Sequence, residues 1–325
     1  MGLRFHIVVL ILTSFTHFLH AQLKSDSTIY DVKTEYIESF PNRLTTRLFY
    51  INTYNSLTIK SRNVNQTFNL EPNKQNRIGA SVAFRSLNIS YSFAPNLLAE
   101  NLDNDNSKLF NLNLRTYFGK WMQTLDIYYE KGFYITDDAM EFYLPRTKSF
   151  KIGGGTSYIW NDNFSFRAIV TQDEKQLKSA GSFIPRIVYF YTKYDIRSDD
   201  DTVDEDYYSF DLAFAPSYYY NLIPSKNLLI SAGFSAGLGV NYTTSKFESL
   251  TSLLTEINFR GSITYDISNL YFGSHYSYLI INHNFDRSTY VKDNIPYFEL
   301  FVGYRFKAPK KFIKTANTIN EKIKI

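Results

Sequence analysis

The feature that most constrains the fold of this chain is a period-two alternation of apolar and polar residues that extends from residue 44 to residue 306. In residues 256–267, one face carries only apolar or aromatic residues and glycine, and the other face carries only polar residues. Successive side chains of a β-strand point to opposite faces, so this period predicts strands with one apolar and one polar face. The same period recurs in residues 109–118, 124–130 and 298–306.

Strand length and aromatic content favour a barrel that spans a membrane. Many alternating segments are about 10 residues or longer, the length that a strand needs to cross a bilayer at a tilt, whereas globular strands average about 5–6 residues. The chain contains 27 Tyr and 28 Phe, and its apolar faces tend to end in aromatic residues, as in the girdles of outer-membrane barrels. We predict an all-β, transmembrane antiparallel up-and-down β-barrel. The alternative is a soluble periplasmic barrel with its apolar faces turned inward.

The connections between strands indicate how many strands there are. Short turns alternate with long connections, as expected when one rim faces the periplasm and the other faces outward. With a periplasmic N-terminus the number is even, and we predict about twelve strands, within roughly ten to fourteen. Short turns are predicted near residues 85–86, 119–120, 161–163, 224–226 and 268–269. The predicted strands are residues 44–60, 76–84, 87–94, 108–118, 121–131, 148–160, 163–194 (interrupted), 207–219, 227–241, 253–267, 270–282 and 296–306.

One predicted strand is interrupted by a charged segment, QDEKQLKSAGSF, at residues 172–183. The residues before it, 164–168, alternate like a strand, but a single strand over 163–194 would be ~100 Å long at ~3.3 Å per residue. We predict that the chain leaves the wall near Thr171, makes a compact excursion into the lumen and returns at the end of the segment. Gly181 permits a tight turn or a close backbone approach there. An extra hairpin, giving about fourteen strands, is the alternative.

The same segment resembles a Q-x-E-x-Q-x-K-S-A-G-S-[FL] signature of an uncharacterised family of predicted outer-membrane β-barrels of Gram-negative bacteria, a domain of unknown function. Supporting matches are residues 42–48, 131–134 and 302–306, so the resemblance covers nearly all of the mature chain. It implies a barrel in the outer membrane and implies no activity. The basic tail after Phe306 inherits no interpretation from the resemblance.

The first 21 residues resemble a secretory signal in composition. Arg4 precedes an apolar run from Ile7 to Leu12, and Ala21 precedes a predicted cleavage before Gln22. The run is shorter than the about 20 apolar residues of a membrane anchor. We therefore predict a cleaved signal peptide and an outer-membrane location. The predicted organisation is a signal peptide at 1–21, a periplasmic segment at 22–43, the barrel at 44–306 and a basic periplasmic tail at 307–325.

The basic tail and the acidic segments suggest few specific partners. The tail contains six Lys and one Glu, and its composition favours disorder over contact with anionic lipid or cell wall. Residues 103–106 lack the glycine and closing glutamate of a calcium loop, and the acidic residues of 199–206 are typical of a solvated loop. The chain has no Cys and a formal charge of +4. We expect no cofactor, no metal site and no nucleic-acid partner.

Charged residues on the polar faces form a nearly balanced set. Buried charges are costly unless they are paired, so a balanced set predicts a narrow lumen crossed by ion pairs. A role in the selectivity of a pore is the alternative. The predicted lumen charges are Arg47, Arg115, Asp126, Glu130, Arg167, Asp211, Glu256, Arg260, Asp266, Glu299 and Arg305.

The interrupting segment supplies the candidate binding residues, which are Gln172, Glu174, Gln176, Lys178, Ser179 and Ser182. A serine nucleophile needs a base within hydrogen-bond reach, and His275 is the candidate base. The leading hypothesis is a non-enzymatic structural, binding or restricted-transport barrel, with no catalytic residue assigned. The alternative is a lipid- or envelope-modifying enzyme that uses a Ser/His pair. The expected partners are outer-membrane lipid and, through the last strand Phe298–Phe306, the barrel-assembly machinery.

Overall fold

The computed structural model describes residues 32–61, 66–72, 76–95, 108–136, 141–197, 204–246, 248–284 and 288–323. The first ten strands are β1 (Val32–Lys33), β2 (Ile37–Ser39), β3 (Arg43–Thr53), β4 (Ser56–Ser61), β5 (Gln66–Pro72), β6 (Arg77–Phe84), β7 (Leu87–Phe93), β8 (Lys108–Phe118), β9 (Trp121–Thr136) and β10 (Glu141–Tyr158). The remaining strands are β11 (Glu174–Gln176), β12 (Ala180–Ile184), β13 (Arg186–Arg197), β14 (Asp204–Phe214), β15 (Ser217–Ser225), β16 (Leu228–Thr244), β17 (Ser249–Ile267), β18 (Leu270–Asn284) and β19 (Thr289–Lys307). The helices are α1 (Arg167–Val170) and α2 (Lys310–Ile323).

Twelve antiparallel strands close into a ring. The order around it is β10-β13-β14-β16-β17-β18-β19-β3-β6-β7-β8-β9, and β9 pairs again with β10. The last strand closes on the first along a continuous register from Phe298↔Asn52 to Lys307↔Arg43. The other large-sheet segments extend these wall strands: β4 continues β3, β5 precedes β6, β12 precedes β13, and β15 follows β14. The predicted antiparallel barrel of about twelve strands is confirmed.

The orientation of the faces distinguishes a membrane barrel from a soluble one. Large apolar side chains point outward all around the wall, and Leu253 and Leu238 are 66% and 65% exposed. The alternate, inward positions are occupied mainly by Ser, Thr, Asn and charged residues, many of which are buried. A soluble barrel would show the opposite arrangement, because apolar surface avoids water. The wall is therefore built to contact lipid, as the outward apolar band of an outer-membrane-type barrel does.

The two rims of the barrel differ. Tight turns join strands at one rim, which we call the turn rim, at Arg85–Ser86, Gly119–Lys120, Lys226–Asn227 and Ser268–Asn269. Three of these turns begin with a residue of positive φ, at Arg85, Gly119 and Ser268. The described N-terminal segment and α2 lie at the same rim, next to the ends of β3 and β19. The opposite rim, which we call the loop rim, carries the longer connections.

The interrupted seventh strand differs from its prediction. The wall strand begins at Ala180, not at residue 163, and no short turn joins it to β10. Phe164 and Phe166 are buried together with the intervening Ser165, and α1 follows them. Apolar and polar side chains alternate in this segment, but all three are buried. The alternation therefore resembles that of a wall strand although the segment has no exposed face. The excursion therefore begins after Tyr158, earlier than predicted.

The basic tail also differs from its prediction. It forms the 14-residue helix α2, with Lys310 to Ile323 in regular helical conformation, where we expected disorder. Neither helix in the described part of the chain is long and apolar enough to cross a membrane. The predicted signal peptide at 1–21, the residues 103–106 and the acidic residues 199–201 lie outside the described residues.

Candidate functional site

The segment between β10 and β12 and the described N-terminal segment together close the turn rim. We call residues 32–42 and 159–179 the plug. Within it, β11 pairs with β2 in antiparallel register, Glu174↔Ser39 to Gln176↔Ile37, and β1 pairs with β2 to complete a three-stranded sheet. This small sheet is separate from the wall sheet. The plug thus has its own hydrogen-bonded core and is more than an irregular loop.

One side of the plug is held to the wall by apolar contacts. Phe164, Phe166 and Ile169 are buried with Tyr117, Met122, Ile184 and Tyr219 of the wall in one cluster. The rings of Phe166 and Tyr219 meet edge to face with centroids 5.1 Å apart. Burial of a side chain such as Phe or Ile contributes about 1.5–3 kcal/mol. This side, against β8, β9, β12 and β15, is therefore a firm attachment.

The opposite side of the plug is held by polar contacts that centre on Arg305. The Arg305 side chain is fully buried; its Nε donates to Gln172 O at 2.7 Å, and its Nη2 donates to Asp266 Oδ2 at 2.6 Å. Lys175 Nζ lies 3.6 Å from the other carboxylate oxygen of Asp266. The Arg305 guanidinium also lies over the ring of Phe40, 4.6 Å from its centroid. One wall arginine therefore contacts both chain segments of the plug.

The end of α1 receives donors from the wall. Arg47 Nη1 donates to Val170 O at 3.0 Å and lies 3.1 Å from Glu299 Oε1. His275 Nε2 is 2.8 Å from Ile169 O, so this nitrogen carries the proton, and Nδ1 lies 3.5 Å from the same Glu299 oxygen. The last carbonyls of a helix lack partners within the helix. Here the wall provides those partners, which fixes α1 inside the barrel.

The plug contacts wall strands around the whole ring. Its partners include Tyr117 on β8, Asn221 on β15, Asp266 on β17, His275 on β18 and Arg305 on β19. A segment that contacts these strands lies across the lumen and not beside the barrel. The plug therefore occupies the lumen at the turn rim.

The predicted binding residues form bonds within the plug or between the plug and the wall. Gln176 is buried; its Oε1 accepts from Ser165 N at 2.8 Å and Asn221 Nδ2 at 3.1 Å. Glu174 accepts bonds from Ser39 and from Ser165. Gln172, also buried, has a positive φ of 57° and donates to Ile169 O at 2.7 Å. Ligand binding by these side chains stays a prediction.

Lys178 lies apart from the buried members of the predicted set. Its side chain is 53% exposed and forms an ion pair with Glu35 of the plug. The hydrogen bond and the charge of Glu35 raise the pKa of Lys178 above its ordinary value. Its ammonium also lies over the ring of Tyr36, 5.6 Å from the centroid. This side chain joins the two segments of the plug at their exposed edge.

The structure does not bring the serine and histidine of the enzymatic alternative together. Ser179 Oγ accepts from Ile223 N at 2.9 Å. Ser182 Oγ accepts from Asn161 N at 3.0 Å and donates to Phe183 O at 2.9 Å. The ring of His275 contacts Ile169 O and Glu299 instead. Among the residues that the structure describes, neither hydroxyl has a base within hydrogen-bond reach, which nucleophilic catalysis by serine requires.

Ten of the predicted lumen charges lie on inward positions of the wall. The exception is Arg167, which we placed on a strand; it lies in α1 and pairs with Asp173 of the plug. The reason is the same mimicry of a strand that misplaced residues 164–168. The inward charges on wall strands are Arg47, Arg115, Asp126, Glu130, Asp211, Glu256, Arg260, Asp266, Glu299 and Arg305.

Among the described residues, the sequence analysis missed four further charged side chains of the lumen: Arg77, Lys151, Arg186 and Asp293. Lys151 Nζ lies 3.7 Å from Asp293 Oδ2, and their strands β10 and β19 are opposite each other in the ring of twelve. The lumen is narrow enough at this level for one ion pair to cross it. The period of β10 could have identified Lys151, but Asp293 fell in a predicted loop.

Beside this ion pair, towards the loop rim, an apolar cluster narrows the lumen further. Leu57, Leu70, Phe133, Tyr194 and Val291 are buried together. Tyr194 on β13 and Leu57 on β4, which continues β3, come from opposite sides of the ring. Side chains therefore cross the lumen at the plug and, further along, at the ion pair and this adjoining cluster, which we call the loop-rim cluster.

No metal site is evident in the parts of the chain that the structure describes, where no three His, Cys, Asp or Glu residues are grouped to hold an ion. A comparison with curated proteins finds no match.

Several solved structures are similar to this chain. The translocator domain of the autotransporter NalP from Neisseria meningitidis is 10% identical, with a TM-score of 0.43 over 93% of this chain and 97% of that one. An outer membrane channel from Pseudomonas putida F1 is 8% identical, with a TM-score of 0.41 over 87% and 100%. OmpT, an outer membrane protein of Vibrio cholerae, is 8% identical, with a TM-score of 0.35 over 85% and 100%. Likeness at this level does not extend to function.

The sequence itself provides the assignment to a family. A family model described as "Domain of unknown function (DUF4421)" matches residues 24–306, which include the wall and the plug. The resemblance inferred from the residues 172–183 is thereby confirmed at the level of an uncharacterised barrel family. The chain belongs to the family Domain of unknown function (DUF4421).

Proposed function

We propose that this protein is a non-enzymatic, plugged conduit of the outer membrane, which admits small polar solutes when the plug is released. The observation that carries the proposal is the unequal attachment of the plug. Apolar contacts, together with the two bonds from Asn221, hold it on the β8, β9, β12 and β15 side. Buried polar contacts hold it on the β17, β18, β19 and β3 side.

This inequality supports a plug that swings on one side. Water can replace hydrogen bonds and ion pairs when polar groups separate, so their net contribution is about 0.5–3 kcal/mol each. Separated apolar surface is not compensated in this way and costs about 25 cal/mol per Å². The polar side centred on Arg305 and Asp266 is therefore the side that releases, while Phe166 and Ile169 stay attached to the wall.

The proposal includes a topology. Cleavage of residues 1–21 releases the mature chain beyond the inner membrane, and the last strand, Phe298–Phe306, is recognised by the barrel-assembly machinery. The turn rim, with both described chain ends, faces the periplasm, as short turns do in barrels of this type. The plug then closes the periplasmic opening, and the loop-rim cluster narrows the lumen towards the outer opening without closing it.

The test is the conductance of the refolded mature protein in a planar bilayer, compared with a variant in which a short Gly-Ser linker replaces residues 173–178. The replacement ends before Ala180 because the wall strand begins there. We expect silence, or rare brief openings, from the intact protein and frequent discrete steps from the variant. A matched control replaces the loop-rim turn at residues 245–248 with Gly-Ser and leaves the plug intact.

Three results would contradict the proposal. Equal, frequent steps from both proteins would make it an open pore without a working plug. Silence from both, with each barrel folded by its heat-dependent gel shift, would make it a closed barrel. Steps that also appear in the loop-rim control would show that any disturbance opens the barrel, which also argues against a specific plug.

A further inference from the structure

A cavity of about 160 Å³ lies in the lumen on the loop-rim side of the plug. Phe166 of the plug forms part of its lining, and wall strands from β8 to β18 supply the rest. We call this cavity the chamber. At about 10–15 Å³ of such volume for one water molecule, the chamber is large enough for a small polar solute.

The charges in the chamber favour an anion. Three arginines, Arg115, Arg186 and Arg260, line it together with two carboxylates, Asp126 and Glu256. The sum of these formal charges is 3 − 2 = +1. Each of the three guanidinium groups interacts electrostatically with Asp126, so they surround one region of the chamber.

The arginines differ in how their charge is used. Arg186 forms an ion pair with Glu256 and donates to Ser235 Oγ. Arg115 and Arg260 form no ion pair within 4 Å among the described residues. The Nε atoms of Arg115 and Arg186 are buried and have no acceptor within the described ranges. Guanidinium donors in this state match the paired oxygens of a carboxylate or a phosphate.

We infer that the chamber binds a small oxyanion, a carboxylate or a phosphate, with Arg260 and Arg115 as its main donors. The inference deepens the proposed conduit, on which it rests, by naming the class of solute. The carboxylates Asp126 and Glu256 limit the net attraction. The site would therefore hold a solute in transit without retaining it, since conduction requires binding that is weak enough for release.

The test measures binding to refolded protein in detergent by isothermal titration calorimetry. The probes are inorganic phosphate, succinate and the neutral polyol erythritol, each with the intact protein and with the 173–178 replacement. We expect phosphate or succinate to bind and erythritol not to bind. Arg260→Gln should weaken binding by about tenfold or more, because it removes a charge-assisted contact. Lys246→Gln removes the same charge from an exposed position at the loop rim and should have no effect.

Each outcome is distinguished by the probe that binds and by the protein that binds it. Tighter binding of phosphate than of succinate, or the reverse, shows whether the chamber prefers a phosphate or a carboxylate. No binding to either protein, or equal binding by Arg260→Gln, overturns the inference even if the replacement variant conducts. Binding by a protein that never conducts retains the chamber site and contradicts the conduit. If Arg260→Gln does not fold, Arg115→Gln provides the same test.

A second, independent observation concerns α2, which leaves the barrel directly after β19. In its sequence, Phe312, Ala316, Ile319 and Ile323 recur every three or four residues, the spacing typical of an amphipathic helix, and the described Phe312 and Ala316 share one face. Lys310, Lys311 and Lys314 lie on the rest of the circumference, and the sequence adds Lys322. A basic helix with one apolar face is typical of segments that lie in a membrane interface.

The position of α2 connects its apolar face with the lipid-facing wall. Phe312 is 51% exposed, and its ring centroid is 6.4 Å from that of Phe84, the last residue of β6 at the turn rim. Arg85 Nη2 donates to Asn317 Oδ1 at 2.6 Å and ties the helix to the adjacent turn. The apolar face of α2 thus continues the apolar band of the barrel at the turn rim.

We propose that α2 lies in the membrane interface at the turn rim and binds anionic phospholipid through its lysines. The continuity with the barrel's apolar surface supplies insertion, and each lysine near an anionic surface adds about 1 kcal/mol of attraction. An anionic membrane contacts the apolar face of the helix through its acyl chains and the lysines through its headgroups. A soluble polymer of the cell wall would contact the lysines and leave Phe312 in water.

The absence of cysteine from the chain allows a single-site label. The full mature protein with Ala316→Cys or Lys314→Cys carries a nitrobenzoxadiazole dye in vesicles of phosphatidylcholine with or without phosphatidylglycerol. We expect the label at 316 to be quenched by brominated lipid acyl chains, and more strongly with phosphatidylglycerol. The label at 314, on the polar face, should be quenched weakly. Lys→Gln at 310, 311, 314 and 322 should remove the effect of phosphatidylglycerol.

Equal, weak quenching of both labels in both lipid mixtures would overturn the interfacial position. Quenching at 316 that does not respond to phosphatidylglycerol or to the lysine substitutions would retain the insertion and overturn the anionic-lipid partner. These results do not depend on conduction, because the helix lies outside the lumen.

Discussion

Substitution of Arg305 by leucine offers the sharpest test of how the plug is held. Only contacts that differ between the closed and the released plug change the equilibrium between them. The bonds of Arg305 to Asp266 and Ser268 join wall to wall and are kept in both states. The bond from Nε to Gln172 O and the contact over Phe40 join wall to plug and are lost on release.

The magnitude follows from these plug contacts. A buried hydrogen bond from a charged donor contributes about 1.5–3 kcal/mol, which corresponds to about 10–100-fold in the equilibrium at about 1.4 kcal/mol per factor of ten. Lys175, 3.6 Å from Asp266, gains a stronger partner when Arg305 is removed, and this offsets part of the loss. We expect the open probability of Arg305→Leu to rise by about tenfold or more.

The assay is single-channel recording of the mature protein, with open probability as the measured quantity. Arg197→Leu is the matched control, because Arg197 pairs with carboxylates at the loop rim and does not contact the plug. Arg305→Lys keeps the charge beside Asp266 and should show an intermediate effect, since lysine lacks the fork of donors. If Arg305→Leu folds and its open probability equals that of wild type and Arg197→Leu, Arg305 does not hold the plug in its closed position.

Three further predictions concern the wall and the lumen. Asn221→Leu removes two bonds to the plug, costing about 1–3 kcal/mol, and should speed proteolytic cleavage within the plug; unchanged cleavage kinetics would refute this role. Gly154→Val should lower the temperature of the heat-dependent gel shift, since a side chain there would clash with the backbone of the neighbouring strand. Gly261→Val should not, because a Cβ there would meet only Ser231 O, at an ordinary contact distance of 3.9 Å. In the plug-replaced background, Lys151→Ala with Asp293→Ala should enlarge the conductance step by removing the pair that crosses the lumen; an unchanged step would place the narrowest point elsewhere.

For the arginines of the wall, the sequence predicts which side chains face the lumen. It does not predict the carboxylate with which each one pairs. The period of a strand assigns Arg47, Arg260 and Arg305 to the polar face without any knowledge of neighbours. Which carboxylate each one meets depends on the register between strands and on the curvature of the closed wall. Arg305 pairs with Asp266, two strands away in the ring, and such a partner is invisible to a pattern within one strand.

The helix α2 and the plug show a different limit. The high lysine content of the tail suggested disorder, because the prediction used composition and not the spacing of the apolar residues. The spacing of Phe312, Ala316 and Ile319 carried the helical signal. In the plug, residues 164–168 alternate as a wall strand does, and the alternation is a local property that two different environments satisfy. Both predictions were wrong because a pattern along the sequence does not show which parts of the folded protein a segment contacts.

The alternating pattern alone was enough to predict a wall of antiparallel strands with one apolar and one polar face, and it favoured about twelve of them. Period-two alternation is local, so each strand shows its two faces without reference to the rest of the chain. The folded structure was needed to show which face meets lipid, the course of the plug, the pairs that cross the lumen and the position of α2. These features depend on which groups meet across a closed ring, where burial must be matched by partners that are distant in sequence.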